Sequence, residues 1–319
     1  MCGIVGAVSE RNIEKILIKG LKRLEYRGYD SAGLAVLDAQ HKLLRLRTLG
    51  KVRELENALE KSDLHGTSGI AHTRWATHGV PSEENAHPLI SHSQFALVHN
   101  GIIENHETLR KKLLDQGYTF SSQTDTETIV HLLHFHYQQC KDFLQATHKT
   151  IAELEGAYAL GIISSLHPGE LIAVRHGSPL VMGHGIVENF FASDPLALSP
   201  VTKQFTYLED GDIARVTCHT IEIFDEHLQP VERKIHNLEI NFDTADRGEY
   251  RHFMCKEIFE QPNAITANLE GRITRHSVLD SAFGMQAKEL LARTQHIQFV
   301  ACGTSYHAAM VARYWIEAL

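Results

Sequence analysis

Paired cysteines and long apolar runs are both absent from the sequence. Its five cysteines are scattered over 319 residues, and none forms a CxxC pair. Such usage is typical of a reducing compartment and argues against a disulfide framework. No apolar run is long enough to span a bilayer, and the N-terminus lacks the basic region that precedes the apolar stretch of a signal peptide. We therefore expect a cytoplasmic protein that has no membrane partner.

Positive charge is also in short supply. The 31 Lys and Arg residues are outnumbered by 39 Asp and Glu, so the net charge is −8. Nucleic acids bind proteins through clustered cations, and we therefore expect no nucleic-acid partner. The hydrophobic fraction of 43% and the charged fraction of 22% are those of an ordinary globular protein. The length favours about two domains.

Histidine, by contrast, is abundant, with 22 residues. His131, His134 and His136 lie close together on a predicted helix, within "HLLHFHY". Neither an HExxH pattern nor a cysteine partner accompanies them. A partly exposed helix face is therefore the favoured interpretation, and a metal site is the alternative. We expect no metal, nucleotide or organic cofactor.

Helices early in the chain and short strands throughout predict an α+β fold. The stretch "FALVHNGIIEN" contains two apolar runs joined at Asn-Gly, which is typical of a β-hairpin. Thr124 and Glu127 form the capping-box pattern of a helix start. The composition changes near residue 240, so we predict two domains, residues 1–240 and 241–319.

The N-terminal stretch "MCGIVGAVSE" places Cys2 directly after the initiator methionine. A small second residue normally permits removal of that methionine, which would leave a cysteine with a free α-amine. This amine titrates near pH 8, so much of it is neutral and can accept the proton of the thiol. Cys2 is therefore a candidate nucleophile, and an incidental thiol is the alternative.

Four further residues could complete a site for acyl chemistry. The Asn100 amide and the Gly101 N–H could bind an oxyanion, although Asn-Gly is also a common hairpin dipeptide. Arg74, in a predicted loop, could hold a carboxylate, and Asp125 could hold an ammonium group. The structural alternatives are a surface arginine and an acidic residue that complements a helix dipole. Together with Cys2, these groups fit a free amino acid with a side-chain amide, as in glutamine.

Five stretches occur in the order seen in the class II glutamine amidotransferases, whose nucleophile is an N-terminal cysteine, and the chain resembles that family in them. The resemblance covers roughly the first 240 residues. It implies a four-layer αββα sandwich of the N-terminal-nucleophile hydrolase type. The stretches that carry it are "MCGIVGAV", "LEYRGYDSAG", "HTRWATHG", "HNGIIEN" and "QTDTE".

The resemblance also implies roles for the candidate residues. Cys2 is expected to be the nucleophile, with its own amine as the base, and Asn100 and Gly101 to form the oxyanion hole. Arg74 is expected to bind the α-carboxylate of glutamine, and Asp125 its α-amine.

Three residues that follow Arg74 belong to the same implied site. Thr77 and His78 are expected in the glutamine-site loop, and Trp75 is expected to gate the path of ammonia. Thr304 and Ser305, in a loop before a helix, are expected at a sugar-phosphate site, where a helix N-terminus favours an anion.

The C-terminal part is similar to the family members that aminate fructose 6-phosphate to glucosamine 6-phosphate. The similarity rests on "YRHFMCKEIFEQP" followed by "CGTS". The last stretch, "IQFVACGTSYHAAMVARYWIEAL", predicts a strand, a loop and a helix that begin a sugar-isomerase domain. We expect that domain to extend beyond residue 319, so this chain is expected to keep only the glutaminase half.

The leading hypothesis is therefore hydrolysis of glutamine by Cys2, with release of ammonia. Fructose 6-phosphate is expected as a partner only when the rest of the second domain is present. One alternative is a stand-alone glutaminase or another class II amidotransferase. Another is a binding module for glutamine or a sugar phosphate that has no turnover. The resemblance implies a homodimer, but its contacts lie largely beyond residue 319, so both monomer and dimer stay open.

Overall fold

The computed structural model describes most of the chain, in five segments: residues 2–237, 250–269, 272–273, 277–279 and 287–318. It divides into two compact units, Met1–Asp246 and Arg247–Leu319. We describe each unit by itself.

Unit 1 is built from two antiparallel sheets. One sheet has eight strands in the order β15-β11-β9-β10-β1-β4-β2-β3, and the other has seven in the order β14-β13-β12-β8-β7-β6-β5. The strands are β1 Gly3–Ser9, β2 Ser31–Leu37, β3 Leu43–Leu49, β4 Ser68–Arg74, β5 Leu89–Ser91, β6 Phe95–Ile103, β7 Gly156–Ser164, β8 Leu171–His176, β9 Val181–His184, β10 Glu188–Ala192, β11 Gln204–Tyr207, β12 Ile213–Val216, β13 Ile221–Phe224, β14 Pro230–Val231 and β15 Ile235–Asn237.

Helices cover the outer face of each sheet. Helices α1 and α2 pack on the eight-stranded sheet, and α4 packs on the seven-stranded sheet beside α3 and α5. Short 3₁₀ turns at Glu25–Arg27 and Pro195–Leu198 complete the unit. The helices are α1 Glu14–Arg23, α2 Val52–Glu60, α3 His106–Asp115, α4 Asp125–Cys140 and α5 Phe143–Ile151.

Strand β1 shows how the sequence produces this layering. Every residue of Gly3–Ser9 is buried. Because side chains alternate along a strand, Val5 and Ala7 join the core under the helices, whereas Ile4 and Val8 join the core between the sheets. A strand that is buried on both faces does not alternate between polar and apolar residues, as a surface strand does. The arrangement is a four-layer αββα sandwich, as predicted.

The gap between the sheets is narrow where Phe191 crosses it. A Cβ atom at Gly6 would lie 2.2 Å from the Phe191 ring, and one at Gly161, in the opposite sheet, would lie 2.6 Å from it. Both distances are far below van der Waals contact. The fully buried ring therefore fits because two strands that face each other carry glycine at this level.

Two local predictions were wrong. The predicted hairpin at Asn100-Gly101 does not exist, because β6 continues through both residues and pairs with β7 along its whole length. The predicted partly exposed face of α4 is buried: His131, His134 and His136 are each at most 7% exposed. The pattern of hydrophobic residues did not predict this burial. Histidine rings can be buried because they find polar partners inside the protein.

The helix start predicted at Thr124 is confirmed in its main feature. The Thr124 side chain accepts a hydrogen bond from the backbone N–H of Glu127, at 3.3 Å. The return bond of the capping box runs to different partners, because the Glu127 carboxylate accepts from Ser121 and Ser122 instead. Burial by itself would raise the pKa of Glu127, but these bonds and the one from His131 lower it to about 2.

Unit 2 contains helices α6 Phe253–Leu269, α7 Ala287–Arg293 and α8 Gly303–Ala318. The strand predicted before α8 is not formed, since residues 294–302 have no regular secondary structure and no partner strand among the described residues. Thr304 and Ser305 do not lie in a loop, as predicted, but in the first turn of α8, where both are exposed. Among the described residues of the chain, no helix combines the length and hydropathy needed to cross a bilayer.

Candidate active site

A pocket of unit 1 brings together the residues that the sequence singled out. Cys2 comes just before β1, Arg74 ends β4, Gly101 lies within β6 and Asp125 begins α4. These four positions meet at one end of the two central sheets. The pocket has an empty volume of ≈ 250 Å³ and is lined by Cys2, Arg74, Trp75, Thr77, His87, His99, Gly101, Thr124, Asp125 and Thr126.

The Cys2 thiol lies against the backbone of Trp75. The Trp75 N–H donates to the Cys2 Sγ atom at 3.2 Å, and the thiol lies 3.6 Å from the Trp75 carbonyl oxygen. Burial raises the pKa of the thiol, and nearby Asp30 raises it further, although the Trp75 N–H and Arg74 oppose this shift. At neutral pH the group is therefore a thiol, and it needs a base before it can attack a carbonyl carbon.

The backbone of Cys2 is fixed by an arginine that the sequence analysis missed. Arg27 donates from Nη1 to the Cys2 carbonyl oxygen at 3.3 Å, and its Nη2 atom forms an ion pair with Asp194 at 2.7 Å. The same guanidinium donates to the Ser193 hydroxyl at 3.2 Å. These contacts join residue 2 to the end of β10. The signal in the sequence was only "YRGYD", and its partners lie about 170 residues away along the chain.

Asn100 and Gly101 stand beside Cys2, although they do so in a strand instead of a turn. The Asn100 Nδ2 group donates to the Cys2 carbonyl oxygen at 3.3 Å. Gly101 has φ +132°, and a Cβ atom there would lie 2.0 Å from the Ala157 carbonyl oxygen. Only glycine therefore fits at this position of β6. The local backbone leaves the usual strand conformation at the point where it lines the pocket.

Arg74 is the last residue of β4 and is 3% exposed, so it is neither in a loop nor on the surface. Its Nη2 atom donates to the His78 carbonyl oxygen, whereas Nη1 is buried without a hydrogen-bond partner among the described residues. Asp30 accepts the N–H of Ala76 at 2.5 Å. This contact ties the stretch that follows β4 to the residue before β2.

Asp125, the first residue of α4, also lines the pocket. It is 4% exposed, and its Oδ2 atom accepts the Ile103 N–H at 3.0 Å. The nearest ring nitrogens are those of His99 at 3.9 Å and His78 at 4.0 Å. The carboxylate therefore keeps lone pairs that can accept hydrogen bonds from an ammonium group.

Three buried histidines, His72, His87 and His99, form the wall behind these residues. The rings of His72 and His87 stack with their centroids 4.2 Å apart, and those of His87 and His99 are 6.5 Å apart. Burial lowers the pKa of all three and brings that of His72 to about 3. At neutral pH they are therefore uncharged hydrogen-bonding groups. The sequence analysis did not single them out, because a buried histidine has no local signature.

The pocket thus gathers the predicted glutamine-site residues in one place. Six of the eight line it directly, Asn100 bonds to the backbone of Cys2, and His78 touches Arg74. Thr304 and Ser305 belong to unit 2. Among the described residues, no group of three or more His, Cys, Asp or Glu side chains could hold a metal ion.

Comparison with known proteins gives a matching family and close relatives. The family described as "Glutamine amidotransferase domain" matches residues 72–200. The chain is 55% identical over 319 residues to the glutamine–fructose-6-phosphate aminotransferase [isomerizing] of Legionella pneumophila strain Paris, and covers 53% of it. It is 56% identical over 320 residues to the enzyme of that name from Yersinia pestis, and covers 52%. The chain thus spans about half the length of these relatives.

Solved structures agree with the fold of unit 1. The glutamine phosphoribosylpyrophosphate amidotransferase of B. subtilis matches 72% of this chain and 50% of its own, with a TM-score of 0.62 and 26% identity. A second structure, of an allosteric regulatory enzyme of purine biosynthesis, matches the same share with a TM-score of 0.62 and 27% identity.

The fold and the relatives lead to one conclusion. The predicted four-layer sandwich is confirmed, and it is the sandwich of amidotransferases with an N-terminal nucleophile. The matched family covers the segment that carries Arg74, Asn100, Gly101 and Asp125. The chain therefore contains a glutamine amidotransferase domain.

Proposed function

We propose that unit 1 hydrolyses the side-chain amide of L-glutamine and releases ammonia. The observation that carries the proposal is the pocket of unit 1, which the partly buried Cys2 thiol, the Arg74 guanidinium and the Asp125 carboxylate line together with Gly101. The carboxylate of Asp125 suits the α-ammonium group, and the buried guanidinium of Arg74 suits the α-carboxylate. The two anchors would leave the side-chain amide of the substrate beside Cys2.

The first chemical step needs a base, because burial keeps Cys2 in the thiol form. Once the methionine is removed, the free α-amine of Cys2 accepts the thiol proton, directly or through one water. The Sγ atom then bonds to the amide carbon, and the carbonyl electron pair moves to the oxygen. The resulting oxyanion is stabilised by the Asn100 Nδ2 group and the Gly101 N–H.

The second step releases ammonia and leaves a thioester. The C–N bond breaks as the α-ammonium group returns its proton to the leaving nitrogen. Water then attacks the thioester, with the same amine as the base, and glutamate and the free thiol are formed. Thr77 and His78 complete the loop that covers the substrate, and Trp75, which is 55% exposed, stands at the mouth where ammonia leaves.

We further propose that the ammonia acceptor of the longer protein is fructose 6-phosphate. The support is the name carried by the relatives, each of which is nearly twice as long as this chain. Thr304 and Ser305, in the first turn of α8, would belong to that sugar-phosphate site. The proposed hydrolysis of glutamine in unit 1 does not depend on this second proposal. We also propose that the protein is cytoplasmic.

The test of the hydrolase proposal is a comparison of two cysteine variants. Cys2→Ala is expected to lower glutamine hydrolysis by at least about 10³-fold, because it removes the nucleophile. Cys302→Ala, which changes an exposed cysteine of unit 2, is expected to leave the rate unchanged. Ammonia release measured by a coupled assay decides the matter. Equal rates for Cys2→Ala and the unchanged protein would reject the proposal.

A further inference from the structure

We infer that His72 is a positioning residue, which holds the Asn100 amide in the one orientation that presents its Nδ2 group toward Cys2. The inference rests on the proposed hydrolysis of glutamine and adds a residue to it. His72 lies inside β4, paired with Ile4 of β1 on one side and with Gly33 of β2 on the other. It touches none of the reacting atoms and acts only through Asn100.

The contacts of Asn100 determine the orientation of its side-chain amide, that is, which side carries Oδ1 and which carries Nδ2. The His72 Nε2 atom lies 2.9 Å from the Asn100 Oδ1 atom, and the Asn100 Nδ2 group donates to the Cys2 carbonyl oxygen at 3.3 Å. A flipped amide would face oxygen against the Cys2 oxygen and N–H against the His72 N–H. An amide oxygen accepts only, so His72 must carry its proton on Nε2.

The His72 ring cannot turn away from this contact. It is fully buried and stacks on His87, with the ring planes 28° apart. His87 is held in turn, because the backbone N–H of His99 donates to its Nδ1 atom at 3.4 Å. The proton of His87 is therefore on Nε2, which lies 3.1 Å from the Thr126 hydroxyl oxygen.

The same set of contacts also reaches Asp125, the proposed ammonium anchor. The Thr126 hydroxyl, which accepts from His87, lies 3.0 Å from the Nδ1 atom of His99 and 3.4 Å from the Oδ1 atom of Asp125. A continuous set of hydrogen bonds and one ring stack therefore supports both the oxyanion donor and the ammonium anchor. Because the set is buried and uncharged, it cannot relax around a misplaced amide by admitting solvent.

A positioning role has a defined kinetic consequence. The Asn100 donor stabilises charge that develops only in the transition state, so loss of its orientation lowers kcat and leaves KM nearly unchanged. A purely structural role of His72 would instead lower the melting temperature and would affect kcat regardless of what occupies position 100. These two behaviours can be separated by a double-mutant cycle.

The experiment measures glutamine hydrolysis by the chain and by three variants: His72→Phe, Asn100→Ala and the double variant. We expect Asn100→Ala to lower kcat by about 10² to 10³-fold. His72→Phe, which keeps a stacked ring but loses the donor, is expected to lower kcat by about 10-fold with KM changed less than about 2-fold. In the Asn100→Ala background the same change is expected to lower kcat by no more than about 2-fold.

Two amide variants guard against loss of folding. The Gln amide nitrogen reaches the level of the histidine Nε2 atom, whereas that of Asn reaches only the level of Nδ1. His72→Gln is therefore expected to keep kcat within about 3-fold of the unchanged chain, and His72→Asn to fall with His72→Phe. Melting temperatures are recorded for all variants.

The outcomes separate this inference from the proposed function. If the unchanged chain hydrolyses no glutamine, the proposed function fails. If it does so and His72→Phe lowers kcat equally in both backgrounds, or His72→Asn retains full kcat, the positioning role is overturned. The positioning role is supported if His72→Phe lowers kcat only in the chain that keeps Asn100, and if His72→Gln retains kcat.

Discussion

Helices α4 and α8 are equally long, with 16 residues each, and neither has a strong polar face, yet their surroundings are opposite. Most of α4 is buried between the seven-stranded sheet and its neighbouring helices, and even its three histidines are enclosed. In α8 no described residue is buried, and Tyr314 and Trp315 are each 71% exposed. An apolar helix becomes part of a core only when the fold supplies a surface to cover it.

The same contrast separates two pockets formed by the described residues, one in each unit. The pocket of unit 1 is small, with an empty volume of ≈ 250 Å³, and it is rich in polar groups with fixed partners. The groove beside α8 is larger, with an empty volume of ≈ 1350 Å³, and Ile297, Phe299 and Tyr314 are among its walls. Size alone would point to the groove, but the residues proposed for catalysis line the pocket of unit 1.

The largest expected effect tests the contrast in burial directly. Phe191→Ala removes a ring that is enclosed between the sheets of unit 1, and we expect it to lower the free energy of unfolding by about 3–5 kcal/mol. Trp315→Ala, which removes an exposed ring of α8, is expected to change it by less than about 0.5 kcal/mol. Urea unfolding followed by circular dichroism measures both. Similar losses of unfolding free energy in the two variants would contradict the difference in burial between the two units.

The next effect concerns the uncharged histidines of unit 1. Burial holds the folded pKa of His72 near 3, below its ordinary value of 6.5, so the unfolded chain binds more protons between these values. The contribution of neutral His72 to the free energy of unfolding is therefore fully present above about pH 6.5, and it is lost as the pH is lowered toward 3. His87 and His99 shift in the same direction for the same reason.

The acid sensitivity can be assigned with one variant. With its folded pKa near 3, His72 contributes a slope of about 1.4 kcal/mol per pH unit between about pH 6 and 4. In His72→Gln the unfolding free energy, measured in urea at several pH values, is expected to lose one such contribution to its slope. An unchanged slope would mean that His72 is protonated in the folded protein.

The smallest expected effect is on activity when unit 2 is removed. A chain that ends at Asp246 keeps every described residue of the pocket, and we expect its rate of glutamine hydrolysis to stay within about 2-fold. Its solubility is expected to rise, because the exposed apolar side chains of α8 are lost. Binding of a hydrophobic dye and the ammonia assay measure these two properties. Equal solubility, or a large loss of rate, would contradict the account.

Local chemistry in the sequence was enough to predict residues of the proposed site and a helix start, whereas the four-layer sandwich was implied by the resemblance to a known family. Cys2, Arg74 and Asp125 were predicted from what a thiol, a guanidinium and a carboxylate can do at their positions. The Thr124 helix start follows from side-chain capping, which depends on three or four residues. Short apolar runs predicted strands and an α+β fold, but not the assembly of these strands into two facing sheets.

Features that depend on distant residues could not be predicted. Asn100 and Gly101 have the composition of a turn, but β7 pairs along the whole of β6, and this pairing overrides the local preference. Arg27 reaches Asp194 because β10 pairs with β1, and no pattern near residue 27 specifies that register. The role of His72 likewise depends on where β6 places Asn100.

The central claim is that Cys2 becomes the N-terminal nucleophile of a glutamine amidotransferase. The most direct measurement is the intact mass of the purified protein before and after incubation with a glutamine-like electrophile, followed by a peptide map. The account predicts loss of the initiator methionine and a single adduct at Cys2. A retained methionine with an adduct at any of the other four cysteines would contradict it, because the α-amine of Cys2 would then be unable to act as the base.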